Sequence, residues 1–576
     1  MKTFKLYIST LVILLLSNSA FAQYTLKNDN DVSWYNKTTK ESIDFTVNAK
    51  TIITGETLYY KIYCKNLETN EISKLSKVAY VELLNNEGLI FKQELLLNNG
   101  TGEGRYSIPK NIATGHYKLI GYTQWMKNNT NHLFDEKNLI ILNPRDDLSF
   151  KDDTFTPNKN GTTTNDLISI KTSSDTFSKR SKVVMNIDSN DLNVKLGNYA
   201  VSVSKVNPLD ALFTYNTIAE KSAIKSSDYT KKNIGDFIFL PETDGEIISG
   251  TVTTKSTNKP VENTRIMLSI LDDSAFQDFA ITNKEGRFTF TIKNRFESDK
   301  AMLRAIEDEA NDYKITFDKK NTINSSALQF NSISIPETLR EHVRQRSLHT
   351  QIENAYRAVK QDANVPQKTL KPFYGNHEIK FVLDDYTRFS TLAETLIEVV
   401  EHAWHERYKG KTRAINVRER ENDPYYDVDI LPIVIFDGAY IKDHENVLPE
   451  DANNIESISV FRDEFYFGNK VYQGALMVKS KDRNFYQSLV SDNSILIDLL
   501  KPQPSYNYFK ADYTKTVNRI PDFRNTLLWL PNYIFSSANN EISFFTSDIE
   551  DNYQISLNGI TKNGQPIHIE KEFKIH

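Results

Sequence analysis

Apolar and polar residues alternate along most of this chain, and a period of two is what a strand with one buried face produces. Thr57–Lys65, Lys77–Leu84 and Leu89–Leu97 are such runs, punctuated by Asn85-Asn86-Glu87-Gly88 and by the glycine turn Gly100-Thr101-Gly102-Glu103-Gly104 before Arg105–Ile108. Thr114–Leu119 leads into Gly121–Met126, and the pattern returns at Lys182–Ile187, Tyr199–Lys205, Ile247–Thr253, Arg265–Leu271 and Phe288–Ile292. Strands separated by turn signals every 8–12 residues or so predict β-sandwiches. The spacing changes at Glu337–Lys360, where Leu339, Val343, Leu348, Ile352, Ala355 and Val359 predict an amphipathic helix or helix pair. Asp384–Glu406 is read as another helix starting near Thr391, with Leu392, Leu396, Val399, Val400 and Ala403 apolar. Strands resume at Leu431–Phe436, which ends on the turn pair Asp437-Gly438, then at Ile455–Val460 and Ala475–Lys479, with Gly468 and Gly474 flanking a further turn. Phe523–Pro531, Ile542–Asp548 and Tyr553–Ile560 close the chain as strand-like runs. The expected fold is mainly β, several immunoglobulin-like or macroglobulin-like β-sandwiches in a string plus one α+β domain. Its expected segments are residues 40–145, 167–240, 245–320, 335–485 (the α+β domain) and 505–576, with polar Lys151–Asp166 as a linker.

Three resemblances attach to particular residues. Val-Ala-Tyr-Val-Glu-Leu (78–83) and Thr-Gly-His-Tyr-Lys-Leu-Ile-Gly-Tyr-Thr-Gln-Trp-Met (114–126) resemble a macroglobulin domain of the α2-macroglobulin superfamily. Tyr199–Val203 and Phe544–Ile560 are similar to the same family. Ile248-Ser249-Gly250-Thr251-Val252, Pro260-Val261-Glu262-Asn263 and Thr282–Phe288 resemble a carboxypeptidase regulatory-like domain. Phe436-Asp437-Gly438, Asn454-Ile455-Glu456-Ser457-Ile458-Ser459-Val460 and Gly474-Ala475-Leu476-Met477-Val478 resemble the plug of TonB-dependent outer-membrane receptors. That resemblance implies an outer-membrane barrel, or another envelope protein, as partner. The energy-coupling box and the long barrel that accompany such plugs have no counterpart in this sequence, nor does the Cys-Gly-Glu-Gln thioester of trapping macroglobulins.

Met1–Ala22 carries Lys2 and Lys5, an apolar stretch through Leu16 and the small-residue site Ala20-Phe21-Ala22, the pattern of a secretory signal cleaved before Gln23. Export to the periplasm or outer-membrane surface is therefore expected. No later apolar run is long enough for a spanning helix. A net charge of −5 with dispersed charges argues against nucleic acid as partner. Hydrophobic residues at 39% and charged residues at 25% predict ordered domains rather than disorder. Cys64 is the single cysteine, so no intramolecular disulfide forms and the folds rest on packed cores.

Candidate chemistry is tested against spacing. His402 and His405 stand at i, i+3 in Glu401-His402-Ala403-Trp404-His405, whereas a zinc protease helix needs histidines at i, i+4 with the glutamate between them. His116 and His444 are isolated and read as loop or surface residues. Gly100–Gly104 lacks the following Lys-Ser/Thr and helix of a phosphate loop, and Asp272, Asp273 and Asp278 lack EF-hand spacing. Cys64, inside a strand, reads as a buried filler. No catalytic residue, cofactor or metal is assigned. The expected function is a non-catalytic exported scaffold or accessory component of an outer-membrane complex, binding proteins through edge strands and Tyr/Trp-rich turns. The structural motif residues are Asp437, Gly438, Ile455, Glu456, Ser457, Ile458, Gly474 and Trp125. The alternatives are an extracytoplasmic glycan- or peptide-binding module, which exposed aromatics in a groove would favour, and a non-covalent macroglobulin-like protein that interacts with proteases.

Overall fold

The computed structural model describes residues 23–129, 134–152, 166–218, 224–274, 276–293, 296–366, 374, 377–408, 412–419, 430–468, 470–514, 520–536 and 540–576. Met1–Ala22, with the expected secretory signal, lies outside them. The chain is mainly β, 45% strand against 16% helix, in many small sheets. Its contacts divide it into two units, each discontinuous in sequence. The larger comprises Gln23–Gly245, Asn321–Pro366 and Pro502–His576, the smaller Glu246–Lys320 and Gln367–Lys501.

The larger unit holds two sandwiches. In the first, a three-stranded sheet (Glu41–Val47, Thr57–Asn66, Thr101–Ser107) packs on a five-stranded one (Thr51–Ile53, Asp135–Leu142, Gly115–Tyr122, Val78–Asn85, Gly88–Leu96). Gly100 takes a left-handed φ of 71° at the turn, but Thr101–Ser107 is strand, so the glycine run is mostly sheet rather than loop.

The second sandwich corrects the linear string. Residues 167–240 and 505–576 do not fold as separate sandwiches. The strand Asn198–Lys205 lies between Thr526–Tyr533 and Asn552–Ile560, with Pro566–Ile575 beyond, while Lys182–Asp188 pairs with Glu541–Phe545 in the facing sheet. Val183, Met185, Val201 and Val203 share one core with Leu528, Phe544, Ile555 and Phe573. A half-sandwich cannot bury its apolar face, so each half supplies what the other lacks.

The helix Arg340–Ala355 forms where the spacing places it, but it packs in the larger unit and not in the α+β domain of 335–485. Leu339 and Val343 are buried with Ile53, Ile140, Leu142, Leu209 and Leu212. Arg340 and Arg344 pair with Glu337 and Glu341 on its exposed side, where water screens such contacts.

In the smaller unit, one sandwich pairs the sheet Arg287–Ile292, Glu246–Thr254, Tyr313–Phe317 with the sheet Gln277–Ile281, Arg265–Ile270, Lys300–Ala305, Ser494–Asp498. Its last strand comes from far beyond residue 320. The remaining domain is a five-stranded mixed sheet, in the order Glu378–Val382, Ile455–Phe467, Lys470–Ser480, Ile433–Phe436, Ala439–Ile441. The helix Leu392–Glu398 covers one face, starting at Thr391, whose hydroxyl accepts from the Glu394 N–H. That helix ends early. Ala403–Tyr408 is a strand paired with Thr412–Val417, and His402 sits just before it at φ 70°. The histidines are therefore not on a helix at all, because the β-branched pair Val399-Val400 and the alternation after it favour extended chain.

Asp437 (φ 47°) and Gly438 (φ 82°) form a two-residue turn joining Ile433–Phe436 to Ala439–Ile441, the left-handed pair that hairpins favour. Gly474 (φ 74°) flanks no turn. Inside Lys470–Ser480 it stands alone opposite a bulge of the partner strand, Arg462-Asp463, between the pairs Phe461–Ala475 and Glu464–Gln473, and an added Cβ would stand 2.1 Å from the Phe461 carbonyl oxygen. A Cβ on Gly438 would meet the Leu271 Cα at 2.9 Å, and Gln277 Nε2 donates to the Gly438 carbonyl at 2.7 Å, so this turn docks on the neighbouring sandwich. Gly438→Val should cost about 1–3 kcal/mol from backbone strain alone. Limited proteolysis should then show lost protection in both Glu246–Lys320 and the mixed-sheet domain, with the first sandwich unchanged. Loss confined to the mixed sheet would deny the docking.

Candidate functional site

A cleft of about 1260 Å³ opens in the larger unit where the two sandwiches and the helix Arg340–Ala355 meet. Its two long walls are built differently. From the composite sandwich it receives alternate residues, Ser202 and Ser204, Gln554 and Ser556, Glu570 and Glu572, which is what the face of a sheet contributes. In register, Ser202 lies opposite Ser556 and Ser556 opposite Glu570, while Ser204 lies opposite Gln554 and Gln554 opposite Glu572. From the first sandwich it receives consecutive residues 45–50, which a face cannot supply and a strand edge can. Glu41–Val47 is indeed the outer strand of its sheet.

Paired charges hold this frame. Glu56, at the turn after Ile53, accepts from Arg346 Nε (2.8 Å) and Nη2 (2.7 Å), from Asn525 Nδ2 (2.9 Å) and from the Ile53 N–H (2.9 Å). One carboxylate thus ties the first sandwich, the helix and the C-terminal segment together. Glu353 accepts from Lys360 Nζ (2.7 Å) and from the Phe523 N–H (2.6 Å). Asp522 takes a two-pronged bond from Arg524, both arms 2.7 Å, and another from the Tyr513 hydroxyl. Burial pushes the Asp522 carboxyl up, but the Arg524 guanidinium outweighs it and holds it at about 2. Asp362 joins Arg105 (2.6 Å), Tyr59 (3.0 Å) and the Phe509 N–H (2.8 Å).

Where the sandwiches touch, Lys61 is 1% exposed. Its ammonium donates to the carbonyls of Pro531 (2.7 Å) and Tyr199 (3.3 Å), while the Tyr63 hydroxyl donates to the Asn558 carbonyl (3.1 Å). Burial pushes the Lys61 amine down to about 8, with Glu103 pulling the other way. Neutral oxygens compensate a desolvated ammonium incompletely.

The motif residues chosen from sequence lie elsewhere. Asp437 is buried and accepts from the Ser480 N–H (2.7 Å), the Ser480 hydroxyl (2.6 Å) and the Phe485 N–H (3.0 Å). Ile455 and Ile458 are core, and Glu456 pairs with Arg483 at 2.7 Å. Ser457 is buried, with no partner for its hydroxyl among the described residues. Trp125 is fully buried rather than part of a binding surface. Its Nε1 donates to the Thr39 carbonyl (2.8 Å), its ring packs against Trp34 and Tyr35, and the Lys40 ammonium lies 4.7 Å from the ring. His116 and His444 are also buried, not surface residues, since each finds main-chain partners. His116 Nδ1 accepts from the Asn331 N–H, and His444 Nδ1 from the Ile415 N–H. Burial drives His444 down to about 4. Cys64 is buried and free, and burial raises its thiol well above the usual range. Among the described residues no three His, Cys, Asp or Glu converge on a point. Nothing local in the sequence marks the cleft, because Ser202, Gln554 and Ser556 carry the signal of any polar strand face.

No family model and no curated protein matches the chain. Among solved structures it is similar to trypsin-activated α2-macroglobulin from Escherichia coli, with 8% identity, a TM-score of 0.23 and coverage of 93% of this chain and 41% of that one. Salmonella α2-macroglobulin reacted with methylamine gives 8%, 0.23, 93% and 39%, and native E. coli α2-macroglobulin 8%, 0.23, 94% and 40%. The chain spans about two fifths of the length of those proteins.

Lys61 has a depressed folded-state pKa, so between about pH 8 and 9.5 the unfolded chain binds more protons and stability rises with pH. Urea titrations should show a rise of about 1–2 kcal/mol across that window, before tyrosines ionise, reduced in Lys61→Met. An unchanged slope in the variant would mean the amine is not desolvated. Glu56→Ala should cost about 3 kcal/mol, because it leaves Arg346 buried without its carboxylate. Hydrogen exchange in Arg340–Ala355 should rise first, and an unaltered helix would refute the hub.

Proposed function

We propose that this chain is an exported, non-catalytic scaffold that binds polypeptide partners in the cell envelope, with the cleft of the larger unit as its binding surface. The observation that carries this reading is the pairing of an open strand edge with a polar sheet face across a cavity of about 1260 Å³. Small-molecule pockets span about 300–1,000 Å³, so this one is of a size for a polymer segment. The carboxylates Glu56, Glu353 and Asp362 are bound to arginine or lysine side chains and serve the frame. A glycan-binding module draws on exposed aromatic platforms, and here Trp125 is 0% and Trp529 3% exposed, with Trp529 stacked on Tyr59 at 6.1 Å. That favours a polypeptide over a sugar.

The secretory pattern of Met1–Ala22 supports export, to the periplasm or outer-membrane surface. The plug-like motifs around Asp437, Ile455 and Gly474 support an outer-membrane barrel or another envelope protein as partner. No helix among the described residues is long and apolar enough to cross a membrane. A photo-crosslinking residue at Gln554, half-buried on the cleft face, tests the reading in cells. Adducts should form in the envelope fraction from Gln554 and not from Tyr466, which is 75% exposed in the smaller unit. A cytoplasmic pool alone, or no adduct from Gln554, would overturn it.

A further inference from the structure

The hydrogen-bond phase of Glu41–Val47 shows which main-chain groups it leaves open. The Asn48 N–H donates to the Tyr59 carbonyl at 3.1 Å. In an antiparallel pair, opposed residues alternate between exchanging both bonds and exchanging none. Thr46 opposite Lys61 and Asp44 opposite Tyr63 therefore share the bonded phase, and Ile43, Phe45 and Val47 turn their main chain away from Thr57–Asn66. The Ile43 N–H, in that outward phase, donates to Asp135 Oδ2 at 2.9 Å. No protein partner is found for the N–H groups of Phe45 and Val47 among the described residues, and both residues line the cleft. An edge in this state accepts an added strand.

The opposite wall says what side chains that strand carries. Ser202, Gln554 and Ser556 make no side-chain hydrogen bond among the described residues, so their donors and acceptors face the cleft unspent. Next to them on Pro566–Ile575, Glu570 has His568 as its ion-pair neighbour (3.3 Å), and Glu572 has no ion pair among the described residues. By contrast Glu56, Glu353, Asp362 and Asp551 each have an arginine or lysine within 2.9 Å. The charge this wall leaves uncompensated is negative.

We infer that the cleft takes an extended polypeptide that adds as a strand to the Phe45–Val47 edge and turns alternate polar or basic side chains toward Gln554, Ser556, Glu570 and Glu572. The inference rests on the cleft being the binding surface, and it adds the backbone geometry and charge of the occupant. The probe is a fluorescein-labelled peptide of alternating threonine and lysine, followed by anisotropy on the full mature chain. It should bind saturably, and two controls should bind at least about tenfold more weakly: the same peptide N-methylated at alternate amides, and a threonine–glutamate counterpart. Glu570→Gln with Glu572→Gln should weaken the lysine peptide about tenfold without moving the melting temperature, since both side chains are on the sheet surface. Glu570→Lys with Glu572→Lys should reverse the preference toward the glutamate peptide. Binding indifferent to N-methylation would reduce the effect to charge alone and overturn strand addition. Indifference to the glutamine pair, or no saturable binding, would overturn the occupant. Failure here with Gln554 adducts intact would leave the scaffold reading standing, and loss of the adducts as well would remove both.

Discussion

The larger unit depends on one long-range pairing, the strand Asn198–Lys205 held between two C-terminal strands, Thr526–Tyr533 and Asn552–Ile560. Without them Val201 and Val203 would face water, and the apolar surface they bury would be lost along with the sheet. Closing so long a loop costs little more than closing a shorter one, because the entropy grows only with the logarithm of length. The return on that closure is large. It brings Ser202, Gln554 and Glu570 into one face, sets Pro531 against Lys61, and lets Asn525 reach Glu56. The polar wall of the cleft therefore needs both halves of the composite sandwich.

The charged contacts do a second kind of work. Hydrophobic burial within each sandwich is non-directional and would tolerate many ways of stacking one sandwich on another. Glu56 with Arg346, Asp362 with Arg105 and Tyr59, and the Lys61 contacts to two carbonyls each demand a particular geometry. A desolvated pair contributes little net stability compared with a well-packed apolar one, so fixing the arrangement is the better physical reason for them. A rigid frame is what keeps a strand edge and a sheet face at binding distance.

Local pattern carried much of this structure and failed at identifiable places. The turn at Asp437-Gly438 was legible because a two-residue hairpin loop with left-handed φ selects those residue types. The helix at Arg340–Ala355 was legible from its spacing, but its docking partner was not, since Val343 looks the same whichever core receives it. The second expected helix failed after Glu398, where Ala403, Trp404 and His405 fit either period and the chain chose strand. Trp125 read as a surface aromatic because its neighbours are polar, yet Lys40 and Thr39 enclose it with cation–π and hydrogen-bond partners. The merging of 167–240 with 505–576 left no local trace, because register between distant strands is set by which faces need covering. The cleft was illegible for the same reason, as its residues gain meaning only when two sheets are brought together.

Amide hydrogen exchange resolved at single residues is the most direct measure of whether this cleft receives a polypeptide on its edge. In the free chain the Phe45 and Val47 amides should exchange much faster than those of Asp44 and Thr46, which bond within the sheet. With the threonine–lysine peptide at saturation, Phe45 and Val47 should become protected while the amides of Thr57–Asn66 stay as they were. Fast exchange at Phe45 and Val47 in the presence of bound peptide, or protection that appears at another strand instead, would contradict an added strand at this edge.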